Sequence, residues 1–193
     1  MRHLRFRTRA SAPTPVPAAT PSERLWTELA DYFEDENDDV IHATPDIGLV
    51  GVDPKALERI WDRLRKGADR LDPTRMVWDE TVDAEVRAVD LLQDGVAAAT
   101  ARCPSILVSL EGICVAGVRL PFLGIFLYPD GIDLYWWIGR GDAWNGETVA
   151  AFAELLGELR ELAPGAARES EHAEYGERFW RAVDAYLAEP GGS

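Results

Sequence analysis

The sequence predicts an α+β fold: an antiparallel β-sheet of about four or more strands, centred on residues 105–139, packed with N-terminal and C-terminal amphipathic helices. Three observations point there. Four strand-like runs follow one another without an intervening helix (Ile106–Leu110, Ile113–Val118, Phe122–Tyr128 and Ile132–Ile138). Stretches with helical apolar spacing lie on either side of them. The turn chemistry between the runs, above all Pro129-Asp130-Gly131, suits hairpins rather than crossover connections.

The chain opens with an arm, residues 1–19, that is basic and Pro-rich and is expected to be disordered; a single α+β domain over 20–189 follows. Arg2, Arg5, Arg7 and Arg9 face no acid before residue 22, and prolines at 13, 15, 17 and 21 oppose helix. Thr20-Pro21-Ser22-Glu23 has the form of a capping box with Pro at the first helical position. The helix it starts presents Leu25, Trp26, Leu29 and Phe33 along one side. The acid run from Glu34 to Asp39 ends it by mutual repulsion.

Val40-Ile41-His42 and Ile47–Val50 are short strand or loop candidates. Asp53-Pro54 begins a second helix with Leu57, Ile60, Trp61 and Leu64 on its apolar stripe and Gly67 as its stop. Arg75–Trp78 reads as a strand, and Val82, Val86, Val89, Leu92 and Val96 trace a helical stripe ending near Cys103-Pro104. After the sheet, Asn145 caps a helix carrying Val149, Phe152, Leu156 and Leu159, with Leu155 and Leu162 beside them. A polar link, residues 164–171, leads to a last helix striped by Tyr175, Phe179, Val183 and Leu187, with Trp180 adjacent.

Composition excludes several classes. Hydrophobic content of 47% and seven Trp are incompatible with a wholly disordered chain. No apolar run approaches the roughly 18–20 residues of a membrane span, so no membrane partner is expected. The net charge is −14, and residues 22–193 hold 16 basic against 34 acidic side chains, a balance that repels nucleic acid and attracts basic protein surfaces. Cys103 and Cys114 form no disulfide framework; both read as reduced, structural thiols, which fits a cytoplasmic protein.

Catalytic motifs are missing. There is neither a Gly-x-Ser-x-Gly nor a His-Glu-x-x-His, and His occurs only at 3, 42 and 172. The acid run read from Asp35 as a calcium loop fails where the loop is most specific, with Val40 in place of Gly and Asp46 in place of Glu. No metal and no cofactor are therefore expected. Gly139-Arg140-Gly141-Asp142 is too short and too acidic for a phosphate loop.

The aromatic hairpin is the most informative feature. With a three-residue Pro129-Asp130-Gly131 loop, Gly131 taking the left-handed position, Tyr128 faces Ile132, Phe126 faces Leu134, Gly124 faces Trp136 and Phe122 faces Ile138. These eight share one face; Leu123, Ile125, Leu127, Asp133, Tyr135 and Trp137 share the other. On this register Trp136 is core and Gly124 makes room for it. Asp133 marks the opposite face as reaching water, so Trp137, Tyr135, Asp133 and Trp144 are the candidate partner-binding residues. Glu34, Asp35, Glu36, Asp38 and Asp39 are the candidate steering charges.

The function expected from these features is an acidic, cytoplasmic protein-binding module of the immunity or inhibitor, chaperone or adaptor type, with a basic protein partner. One alternative is a hydrolase or transferase using carboxylates and His42 as its base. Another is a structural subunit whose N-terminal arm orders on a neighbour.

Overall fold

The computed structural model describes residues 18–33, 47–136, 144–170 and 173–189. Residues 1–17 of the expected arm, the acid run with His42, the strand candidate at 40–42, Trp137 and Ile138, and the 139–142 loop lie outside the described residues. The molecule is α+β, with a six-stranded antiparallel sheet and helices from both ends of the chain on one of its faces.

The helix starts follow their sequence signals. Thr20 caps α1 (Pro21–Leu29) with both halves of the capping box formed, and a short 3₁₀ turn, Ala30–Tyr32, continues it. The Asp53 carboxylate accepts from Lys55 N and Ala56 N, both at 3.0 Å, at the start of α2 (Pro54–Gly67). Two short helices follow, α3 (Ala88–Leu91) and α4 (Val96–Thr100), then α5 (Gly146–Leu162), capped by Asn145, and α6 (Ala173–Leu187).

The strands of the main sheet are β1 (Ile47–Val50), β2 (Arg70–Leu71), β5 (Ile106–Glu111), β8 (Leu123–Tyr128), β9 (Gly131–Tyr135) and β10 (Ala167–Glu169). Their spatial order is β10-β1-β9-β8-β5-β2. Both rims are short, three residues at β10 and two at β2. Two small ribbons stand apart: β3 (Met76–Asp79) with β4 (Ala84–Arg87), and β6 (Cys114–Val115) with β7 (Val118–Arg119).

Cross-strand rows of aliphatic side chains build the core face. Ile47, Leu134, Ile125 and Val108 form one row; Leu49, Ile132, Leu127 and Ile106 form the next. All eight are at most 1% exposed, and they belong to the same cluster as the buried residues of all six helices. Beyond β9, Trp136 closes this face. Its indole stacks on Phe33 at 4.9 Å between centroids, meets Phe152 edge-on at 5.2 Å, and donates through Nε1 to the Tyr32 carbonyl at 2.9 Å. Tyr32 is itself buried and donates to the Tyr175 carbonyl at 2.7 Å; burial pushes its phenol up to about 12.

Four expectations are corrected. First, the hairpin loop has two residues, not three: Tyr128 pairs with Gly131, Leu127 with Ile132, Phe126 with Asp133, Ile125 with Leu134 and Gly124 with Tyr135. Gly131 is not left-handed but a buried strand residue, where a Cβ would press on the Leu49 carbonyl at 2.9 Å. This register puts aliphatic residues of both strands on the helix side, which the three-residue loop would not.

Second, Ala84–Arg87 is strand, not the middle of a helix. Asp79 is fully buried and paired with Arg102, its carboxylate accepts from Thr81 N at 2.9 Å, and Asp83 turns the chain back with a φ of 55°. Third, the 113–118 run is no strand of the main sheet. It reverses at Ala116 (φ 48°) and Gly117 (φ 88°) into the β6–β7 ribbon, which leans on α5. Cys114 there is exposed, whereas Cys103 is buried and its thiol is pushed up by that burial. Fourth, the polar link contributes β10, because Arg168 bridges to Asp184 on α6 and stacks over Trp180.

Two tests address this packing. Trp136→Ala should destabilise the fold by about 3–5 kcal/mol in urea titration, since it empties space among Phe33, Phe152 and Phe179 that these rings cannot refill. The Asp79 carboxyl is held below its ordinary value of 3.8, chiefly by the hydrogen bond from Arg102. Its contribution is therefore complete above about pH 4 and is lost as pH falls through the depressed value. The stability difference between wild type and Asp79→Asn should shrink as the pH of the titration is lowered from 7 to 2.

Candidate functional site: the outer aromatic face of the sheet

The same pairing that gathers the aliphatic residues on the helix side gathers rings on the other. Phe122, Gly124, Phe126 and Tyr128 from the β8 segment share that face with Asp133 and Tyr135 of β9. The four aromatic residues and Asp133 are half-buried, and none belongs to the core cluster beneath the sheet. Tyr135 sits between Phe122 (6.2 Å, edge-on) and Phe126 (5.6 Å), and Phe126 stacks in turn beside Tyr128 at 6.3 Å. The result is a continuous row of four rings across two strands.

Two glycines shape this surface. Gly124 lies directly opposite Tyr135, and a Cβ there would overlap the phenol ring; Gly48 on β1 lies opposite Asp133, and a Cβ there would overlap its carboxylate. Each glycine is a trough in which the neighbouring side chain lies flat across the sheet. Tyr135 is thereby fixed by the backbone beneath it as well as by the rings beside it.

At its β1–β9 end the row opens into a cleft of about 520 Å³. Tyr128 forms one wall, and Asp130, Asp133 and Glu169 bring three carboxylates to it. Among the described residues it contains no His, Lys or Arg. Such a notch suits a cationic side chain far better than an anionic group.

The sequence candidates divide. Asp133 and Tyr135 lie on this face. Trp144 does not: it packs against Phe33, Trp136 and Phe152, within 4.7–6.1 Å between centroids, on the helix side. Trp137, the acidic residues Glu34, Asp35, Glu36, Asp38 and Asp39, and His42 lie outside the described residues. Phe122, Phe126 and Tyr128, which a three-residue loop would place beside Trp136, lie here instead, because a one-residue change of register exchanges partners across the hairpin. Glu169 was missed because its strand exists only through pairing with β1.

Among the described residues, no group of three or more His, Cys, Asp or Glu is placed to hold a metal ion, and no helix is long and apolar enough to cross a membrane. No protein-family model, curated protein or solved structure matches the chain.

The troughs can be tested directly. Gly124→Val should force the Tyr135 ring off the sheet, costing about 1–3 kcal/mol of stability and moving the Tyr135 ring-proton resonances. A variant with unchanged stability and unchanged ring shifts would show that Tyr135 is not seated on Gly124.

Proposed function

We propose that the protein is a non-enzymatic binding module, of the inhibitor, chaperone or adaptor kind, that recognises a basic protein partner through the outer face of its sheet. One observation carries the reading: Phe122, Tyr135, Phe126 and Tyr128 form a half-exposed ring row on the face opposite the helices, outside the core cluster. A surface of this kind supplies large apolar area together with phenol hydroxyls, and aromatic residues of this type dominate binding energy at interface centres. The carboxylates of Asp130, Asp133 and Glu169 beside Tyr128 support a basic partner, because an Arg or Lys entering that notch meets side-chain charge of the opposite sign only. The acidic excess of the whole chain acts in the same direction by accelerating encounter with positive surfaces.

The test is quantitative binding of the captured partner by the full chain and by Phe126→Ala and Tyr135→Ala variants. Each should weaken binding by about 2 kcal/mol or more, with association slowing as salt rises. Equal affinity of wild type and both variants, at matched stability, would remove the sheet face from recognition. A turnover activity abolished by neutralising Asp130 or Glu169 would replace the binding reading with a catalytic one.

A further inference from the structure

The β3–β4 ribbon carries three of the four large hydrophobic residues that are exposed among the described residues: Met76 at 45%, Trp78 at 51% and Val82 at 56%. Half-exposed Trp is unusual, since burying its ring is the most favourable thing a fold can do with it. Here the fold prevents burial. Strand alternation sends Val77 and Asp79 inward and Met76 and Trp78 outward, with Trp78 opposite Glu85 and Met76 opposite Arg87. Val77 and its partner Val86 pack against the core cluster.

The register cannot slip to hide Trp78. Buried Asp79 is tied to Arg102, Glu80 N donates to the Arg102 carbonyl at 2.9 Å, and Ala88 N donates to the Arg75 carbonyl at 2.9 Å. A one-residue shift would expel Asp79 from its ion pair and place the indole against a guanidinium in its stead. The ribbon is thus clamped at its base with its apolar side turned to water.

The unpaired charge on that side is acidic. Glu80, Asp83 and Glu85 are exposed, and none has an ion-pair partner among the described residues. Arg87, the basic neighbour, is already engaged by Asp90 through two hydrogen bonds of 2.8 and 2.9 Å. An exposed indole with the unpaired carboxylate of Glu85 opposite it, and Glu80 and Asp83 further along the same ribbon, repels nucleic acid and anionic lipid surfaces; it matches a guanidinium that can lie on the ring while its N–H groups meet Glu85.

We infer that the β3–β4 ribbon is a second docking element, distinct from the sheet face, for an extended basic segment of a partner protein in which Arg alternates with apolar residues. Arg stacks on Trp78 and donates to Glu85; the apolar positions cover Met76 and Val82. The segment meets a surface already fixed in place, so little ordering of the ribbon opposes binding.

The experiment is an NMR titration of the isotope-labelled full chain with an eight-residue peptide of alternating Arg and Val, and with its Glu-Val counterpart. The Arg-Val peptide should shift the Trp78 indole N–H and the amides of residues 76–87 saturably, and the Glu-Val peptide should not. Trp78→Ala should weaken Arg-Val binding about tenfold or more with little change in melting temperature, because the side chain is half in water. Glu80→Gln, Asp83→Asn and Glu85→Gln together should weaken it and flatten its salt dependence. Absence of Arg-Val binding, shifts confined to Phe126 and Tyr135, or equal affinity for Trp78→Ala would each overturn the inference. Shifts at the sheet face alone would do so while leaving the sheet-face reading intact.

Discussion

The pairing of Leu127 with Ile132 is the constraint on which the rest of the structure depends. Strand alternation already sorts each strand into an aliphatic side and an aromatic side. The hairpin register decides only whether like sides meet. Because Tyr128 closes directly on Gly131, the aliphatic sides of β8 and β9 coincide, and β1 and β5 extend the same rows outward. A helical layer can then seal one continuous apolar face, and the rings are left together on the other. Core and outer aromatic face are two results of one register.

The helix side is sealed at its most demanding point by aromatic packing. Phe33 lies within 6.3 Å, centroid to centroid, of Trp136, Trp144, Phe152 and Phe179, so the segments following α1 and β9 and the bodies of α5 and α6 converge on one ring. Polar atoms there are not left wanting: Trp136 Nε1 and the Tyr32 hydroxyl each reach a backbone carbonyl. Two distant parts of the chain, the first helix and the last, are thereby joined through Trp136, just beyond β9.

Local signals in the sequence were strong where the physics is local. The capping box at Thr20, the Asp53 cap and the Asn145 cap involve partners two or three residues away, and each is realised. Non-local structure was hidden. The spacing of Val82, Val86 and Val89 mimics a helix, and only the pairing of Asp79 with Arg102, 23 residues on, explains why the chain turns back there. Residues 167–169 read as a polar link because their strand depends on β1 and on Asp184 of α6. The outer face was half legible: Asp133 and Tyr135 were visible from alternation alone. Phe122, Phe126 and Tyr128 needed the register, which turned on whether Gly131 belongs to the turn or to the strand.

The short β10 rim of the main sheet also limits self-association. An exposed sheet border is a template on which further copies of the same chain can grow. Here the border at β10 offers three residues, and Arg168 within it is drawn back over Trp180 by Asp184. A ladder of that length gives an incoming strand too few hydrogen bonds to offset the freedom it loses. The molecule can therefore carry a row of half-exposed rings beside its β10 border without that border seeding edge-to-edge growth.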